Sequence, residues 1–139
     1  MRTPDFSGLW RLNPAKSQLT GLGVSKIGMN IEHDEPRFVQ EVKTASVDGS
    51  ISLGRFAGNT SGREFSNHVQ ALTMVSTAAW IDNELVIESR VEGGGKTSAH
   101  FRDHWSLSDD GTELSMEHRD DDIAGQLTVL ERVTETHGA

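Results

Sequence analysis

Six polar residues lie on strand faces that are otherwise apolar, and their types could support chemistry. Asp103 stands between Phe101 and Trp105 in the stretch HFRDHWSL, two residues from each aromatic ring. Alternate side chains of a β-strand point to the same face, so this carboxyl group is predicted to share a buried face with both rings. A buried carboxylate needs a cation or several hydrogen-bond donors, and without them its pKa rises. The same alternation assigns the other five residues inward: His33, Gln40, Ser76, Ser89 and His118.

Asp103 has two interpretations. With an inward histidine, His118 or His33, it would form an acid–base pair, as in isomerases, cyclases and lyases. As a structural residue, it would tie its strand to a neighbouring strand through hydrogen bonds, and such networks also perturb pKa values. The sequence favours the structural role and leaves open whether the protein is an enzyme.

The remaining polar motifs predict neither a metal nor a cofactor. His100 and His104 would stand about 13 Å apart on one strand face, too far to bind one ion, and are predicted to face solvent. The chain has 0 cysteines, which excludes disulfides and thiolate metal sites. EGGGK at 92–96 is predicted to be a hairpin loop, because no helix follows it, and EHRDDD at 117–122 a solvated acidic turn.

These residues must be positioned by strands, because period-two alternation runs through the whole chain. Turn-forming Gly, Asn, Asp and Pro interrupt it at short intervals. The pattern predicts nine or ten strands within 7–13, 24–33, 37–46, 50–58, 63–69, 73–81, 84–91, 96–107, 112–119 and 126–134. One helical turn is predicted to begin at Asn13 and Pro14 and to end at Gly21 or Gly23.

The predicted fold class is an all-β, antiparallel up-and-down barrel of about 8–10 strands, forming a single domain over 1–139. Short connections make successive strands antiparallel, and closure removes the unpaired edges. A barrel of this size holds one small ligand. Aromatic rings, thioethers and two polar groups are predicted to line its interior, at Met29, Phe38, Gln40, Met74, Trp80, Phe101, Asp103, Trp105 and Met116.

Such a lining suits a small, largely apolar or aromatic molecule. The alternative is that these side chains simply fill the core, as they do in small barrels without a cavity. The protein would then be a structural or dimeric interaction module. Val75, Ala79 and Val86 are predicted to form an apolar patch on the outer face, which would be the contact surface of a homodimer.

The opening stretch FSGLWRLNPAKS, residues 6–17, places Gly8 two residues before Trp10. Glycine permits a bend or a close backbone approach, and Trp10 is predicted to fill the closed end of the barrel with Leu12 behind it. This stretch resembles the Gly-x-Trp opening strand of the lipocalin and calycin superfamily. With STAAWIDNELVIES (76–89) and DHWSLSDDGTELSM (103–116), it is similar to a group of small bacterial lipocalin-like proteins of uncharacterised function. The resemblance implies the barrel and names no activity. Those proteins often carry Glu at the position of Asp103.

Charge restricts the partners. The net charge is −8 and no cluster of Lys and Arg stands out, so nucleic acid and anionic membrane surfaces are not expected partners. No apolar run approaches the roughly 18 residues of a membrane helix, which predicts no membrane insertion. The first residues lack the apolar segment of a signal peptide. The sequence as written predicts a cytoplasmic protein, or a periplasmic or secreted one if a leader was removed.

Overall fold

The structure, a computed structural model, describes residues 4–18, 24–69, 72–93, 96–120 and 126–133. Its elements are ten strands, whose bounds lie within two residues of the predicted ones: β1 (Gly8–Leu12), β2 (Val24–Asp34), β3 (Arg37–Ser46), β4 (Ile51–Asn59), β5 (Phe65–Val69), β6 (Leu72–Ile81), β7 (Glu84–Gly93), β8 (Lys96–Leu107), β9 (Glu113–Asp120) and β10 (Gln126–Arg132).

All ten strands belong to one sheet in the order β4-β3-β2-β1-β10-β9-β8-β7-β6-β5. Every ladder between neighbours is antiparallel. Consecutive strands pair with each other except for β4 and β5, and β1 pairs with β10, where Trp10 lies opposite Arg132. The predicted all-β antiparallel barrel is confirmed.

Strands β4 and β5 stand at the two ends of the sheet order and meet along a seam. Among the residues that the structure describes, no backbone ladder connects them. The side chain of Asn67 replaces part of it: Asn67 Oδ1 accepts a hydrogen bond from Ala57 N, and Asn67 Nδ2 donates one to Ala57 O, both at 3.0 Å. The Phe65 ring contacts the Phe56 ring (5.6 Å between centroids) and lies where a Cβ on Gly58 would stand. The barrel is therefore nearly closed, with side chains holding its last joint.

The hydrophobic core lies on the inward faces, as the period-two pattern predicts. One buried cluster contains Phe6, Trp10, Met29, Ile31, Phe38, Ala78, Leu85, Ile87, Trp105, Leu114, Met116 and Leu130. Burying each large side chain of this kind contributes roughly 1.5–3 kcal/mol. The cluster is the main source of the barrel's stability.

Three local predictions need correction. Residues 14–16 form turns rather than a helical turn, and Asn13 Oδ1 accepts a hydrogen bond from Ala15 N (3.1 Å) in place of capping a helix. Gly21 and Gly23 lie outside the described residues. Residues 117–120 belong to β9, so the acidic-turn prediction is wrong there, and 121 and 122 are not described. Positions 92 and 93 extend β7 and position 96 begins β8, with 94 and 95 outside the described residues.

The predicted outer apolar patch is also wrong. Val75 and Val86 face outward, but each is only 8% exposed, and Ala79 alone of the three is exposed. The three residues therefore form no apolar contact surface. Within the described segments, no helix is long and apolar enough to cross a bilayer.

Candidate functional site

One end of the barrel is sealed by Trp10, as the opening stretch predicts. Trp10 is 1% exposed, and its Nε1 donates to Phe6 O at 2.9 Å. The Arg132 guanidinium lies 4.4 Å above the Trp10 ring and donates to Ser7 O at 2.6 Å and Gly111 O at 3.0 Å. Gly8 makes this arrangement possible, because a Cβ there would stand 2.5 Å from Arg132 Nη1. We call this end of the barrel, which also contains the 34–37 and 81–84 turns, the closed end.

His33 belongs to the closed end. Its Nδ1 accepts a hydrogen bond from Phe6 N (3.2 Å), so Nε2 carries the proton in the neutral ring and donates to Glu35 Oε1 (3.0 Å). The ring stacks with Phe6 (5.6 Å) and Trp80 (6.0 Å). Asp103 is not among its hydrogen-bond partners. His33 is thus placed as a structural member of the barrel's plug.

Glu35 organises this plug. Its carboxylate accepts hydrogen bonds from Thr60 Oγ1 (2.7 Å), Trp80 Nε1 (2.7 Å) and His33 Nε2 (3.0 Å). Burial opposes ionisation, but these hydrogen bonds outweigh it and lower the pKa of Glu35 below its ordinary value. Sequence reasoning missed this role, because HDEP (33–36) had the composition of a turn and nothing more.

Three of the nine predicted lining residues lie at the base of the interior. Phe38 is 2% exposed and Trp105 4% exposed, and their rings meet edge to face at 5.6 Å. Trp80 is half-buried and stacks on Phe6 at 5.7 Å. These rings are packed into the core, so they form a floor rather than side walls.

The half of the interior farther from Trp10 has a different character, and we call it the open half. Its inward residues include Ile27, Gln40, Val42, Phe56, Met74, Phe101, Asp103, His118 and Thr128, and all of them are half-buried rather than buried. Gly54, opposite the inward Val42, is exposed, and a Cβ there would meet nothing within 4 Å. Side chains that point into a barrel and still reach solvent indicate that the interior is accessible from this side. Met29 (7% exposed) and Met116 (9%) lie at its boundary with the core.

Asp103 and His118 meet on the inward face of β8 and β9. They are directly opposite in the ladder, and His118 Nδ1 lies 2.7 Å from Asp103 Oδ1. Burial raises the pKa of Asp103, and the hydrogen bond and charge of His118 oppose this rise without cancelling it. The side chains are 23% and 30% exposed, respectively. The structure therefore selects His118, not His33, as the inward histidine beside Asp103.

Three other inward polar groups, Ser76, Ser89 and Gln40, have partners. Ser76 and Ser89 are buried opposite each other, with their Oγ atoms 2.7 Å apart. Gln40 Nε2 donates to Met29 Sδ at 3.1 Å. Among the described residues, no buried side-chain nitrogen or oxygen lacks a hydrogen-bond partner. The interior is thus apolar with a small number of satisfied polar groups.

A cavity along β1 to β4 is lined by residues of both faces of the sheet. It has a volume of about 1080 Å³, and its lining includes the outward residues Leu9, Lys43 and Leu53 and the inward residues Met29, Val42 and Gly54. Gly28, on the outward face of β2, is part of this lining, and a Cβ there would meet nothing within 4 Å. Any test of binding inside the barrel must therefore separate the inward face of the sheet from its outward face.

Comparison with known proteins supports the fold. No protein-family model and no curated protein matches the chain.

Solved structures do match. A REP1-NXSQ fatty acid transporter superposes with a TM-score of 0.65 at 15% identity, covering 94% of this chain and 97% of the transporter. Fatty-acid-binding protein 1 of Echinococcus granulosus has a TM-score of 0.66 at 12% identity, covering 93% and 98% of the two chains. Secretory abundant heat soluble protein 4 of Ramazzottius varieornatus has a TM-score of 0.64 at 9% identity, covering 96% and 99%. At these identities the likeness concerns the fold alone: the chain is a ten-stranded antiparallel barrel similar in fold to these structures, two of which are described as a fatty acid transporter and a fatty-acid-binding protein.

Proposed function

We propose that the chain binds a small, largely apolar or aromatic molecule in the open half of the barrel interior. One observation carries the proposal: inward side chains of β8 and β9 remain in contact with solvent, with Asp103 23% and His118 30% exposed. Small-molecule sites are concave, mostly apolar and marked by a few polar groups, which is the character of this region. The descriptions of two structural neighbours as a fatty acid transporter and a fatty-acid-binding protein support an apolar ligand.

The proposed site uses the predicted lining residues in two ways. Gln40, Met74, Phe101 and Asp103 form its walls with Met29 and Met116, and Phe38, Trp80 and Trp105 form its floor. An apolar ligand would gain about 25 cal/mol for each Å² of apolar surface removed from water. Thioether walls suit such a ligand because Met side chains adapt to irregular shapes.

The test uses two glycine substitutions of the same kind on opposite faces. Gly54→Phe places a ring on the inward face of β4, and Gly28→Phe places one on the outward face of β2. Both glycines line the cavity along β1 to β4, and neither Cβ meets an atom within 4 Å. Nile red, a neutral dye that fluoresces in apolar surroundings, serves as the probe. We expect Gly54→Phe to weaken dye binding by about tenfold or more, because it fills the space, and Gly28→Phe to change it less than about twofold.

Circular dichroism and thermal unfolding must show that both variants keep the barrel. No dye binding to the wild-type chain would contradict the proposal. Loss of binding in Gly28→Phe with retention in Gly54→Phe would move the site to the outward face of the sheet and would also contradict it.

Four finer predictions stay with this proposal. The opening strand and the two tryptophan-bearing hairpins support a place among the small bacterial lipocalin-like proteins. The chain is expected to be cytoplasmic, or periplasmic or secreted if a leader was removed, and to avoid nucleic acid because of its net charge of −8. Homodimer formation remains a prediction, but Val75, Ala79 and Val86 do not form the contact surface for it.

A further inference from the structure

The polar groups of the open half specify the kind of ligand head group. This inference rests on the proposed binding function and deepens it. We infer that the interior accepts an apolar molecule whose polar end donates hydrogen bonds, above all a protonated amine, and that it disfavours a carboxylate.

The first argument is the charge of the inward faces. Among the strand residues whose side chains the structure describes, the inward positions include no lysine and a single arginine, Arg132. Asp103 is the one inward carboxylate in the same set. Transfer of an ionised carboxylate out of water is costly unless a cation or several donors compensate for it. A ligand carboxylate in the open half would therefore meet a carboxylate rather than a cation.

The second argument is that Arg132 already has partners. Its guanidinium lies over the Trp10 ring at 4.4 Å and donates to the carbonyl oxygens of Ser7 and Gly111. These contacts hold it at the closed end, behind the buried ring of Trp10, which is 1% exposed. It cannot reach a ligand in the open half without unsealing the barrel.

The third argument is the geometry of Asp103 and His118. Oδ1 of Asp103 lies 2.7 Å from His118 Nδ1, and this is the one hydrogen bond of Asp103 among the described residues. With Asp103 ionised, the pair has a net charge of −1 when the imidazole is neutral and 0 when it is protonated, and in neither state is it positive. The remaining carboxylate oxygen, Oδ2, can only accept a hydrogen bond. A donor head group, such as an ammonium, supplies what this oxygen requires.

The neutral polar groups do not alter this conclusion. Ser76 and Ser89 are buried and 2.7 Å apart, so each already satisfies the other. Gln40 donates to the weak sulfur acceptor Met29 Sδ. A neutral donor can bond to one hydrogen-bond acceptor of a ligand, but it does not replace the cation that a desolvated carboxylate needs.

The experiment measures displacement of Nile red by three molecules with the same ten-carbon chain: decylamine, 1-decanol and decanoate, each below its aggregation concentration. In the wild-type chain at pH 7 we expect decylamine to bind about ten- to a hundredfold more tightly than decanoate, the range for a hydrogen bond to a charged group. The alcohol should fall between them, because it donates a hydrogen bond without a charge.

Asp103→Asn should remove most of the preference for decylamine, because it keeps the shape and removes the charge. The matched control is Glu117→Gln, which removes the same charge from the outward face of β9, where Glu117 pairs with Arg119 (2.8 Å). It should leave the order of the three molecules unchanged, which separates a local contact from the general attraction of amines to an acidic protein.

Equal or tighter binding of decanoate by the wild-type chain would overturn the inference, and so would a preference for decylamine that survives in Asp103→Asn. Failure of this inference is distinct from failure of the proposed function. If Nile red binds and Gly54→Phe blocks it, but the three head groups bind alike, the binding site stands and only its selectivity is wrong.

Discussion

Replacement of Gly8 by alanine tests how the first strand seals the barrel. Gly8 has a φ of 139°, a conformation that an L-residue adopts only with strain, and a Cβ there would stand 2.5 Å from Arg132 Nη1. The strain costs about 1–3 kcal/mol. Displacement of Arg132 would forfeit its hydrogen bond to Ser7 O, worth about 1.5–3 kcal/mol, and its contact with the Trp10 ring, worth about 0.5–2 kcal/mol. Partial relaxation of the flexible arginine places the expected loss of unfolding free energy at about 3–5 kcal/mol.

A double-mutant cycle divides this loss between its causes. Urea unfolding, followed by tryptophan fluorescence, gives the free energies of wild type, Gly8→Ala, Arg132→Met and the double variant. In the Arg132→Met background, Gly8→Ala should cost only the backbone strain of about 1–3 kcal/mol, so the coupling energy should be near 2 kcal/mol. Gly28→Ala, in open space on the next strand, is the control and should not destabilise the protein. A loss below about 1 kcal/mol for Gly8→Ala, or the same loss in both backgrounds, would refute the reasoning.

Three further predictions concern the plug and the seam. Trp10→Ala should lower the unfolding free energy by about 3–5 kcal/mol, as expected for a large buried side chain, and a loss below about 1 kcal/mol would show that Trp10 is not a core residue. Asn67→Leu should cost about 1–3 kcal/mol because it leaves Ala57 N and O without partners at the seam. Asn67→Asp, which keeps the acceptor, should cost less; equal losses in urea titrations would argue against the bridging role. The pKa of Glu35 is lower in the folded protein than in the unfolded chain, where it is near 4.5. The contribution of ionised Glu35 to the free energy of unfolding is therefore fully present above pH 4.5 and is lost as the pH falls through the folded-state pKa. Urea midpoints from pH 6 to pH 3 should therefore fall more steeply in wild type than in Glu35→Gln, and parallel curves would contradict the assignment.

Much of the barrel was predictable because two local signals agree along the whole chain. Period-two alternation located the strands, and the turn residues between them separated one hairpin from the next. The inward position of Asp103 follows from the same alternation. The partner of Asp103 could also have been predicted from the sequence. The turn at SDDG (108–111) sets Leu107 opposite Leu114, and the same register sets Asp103 opposite His118. Hairpin register was the signal that could have chosen between the two histidines.

Beyond the position of Trp10, the contacts of the closed end could not be predicted in the same way. Arg132 and Ser7 are 125 positions apart in the chain, and their contact exists only because β1 joins β10. Glu35 lies in a turn, and its three hydrogen-bond donors come from separate parts of the barrel. Val75 and Val86 were assigned to the correct outward face, but alternation gives only the direction of a side chain. The neighbours that cover an outward side chain depend on three-dimensional packing.

The seam between β4 and β5 gives the sheet an unusual relation to the order of the chain. Read from β5, the strands follow one another around the barrel as β5 to β10 and then β1 to β4, which is the spatial order of the sheet. A circular permutant that begins within residues 61–63 and joins the original termini would thus be a pure meander, in which every pair of hydrogen-bonded strands is consecutive. The long-range pairing of β1 with β10 would become a local one. Folding rates fall as the mean sequence separation of contacts rises, so the permuted chain should reach the same barrel faster than the natural one.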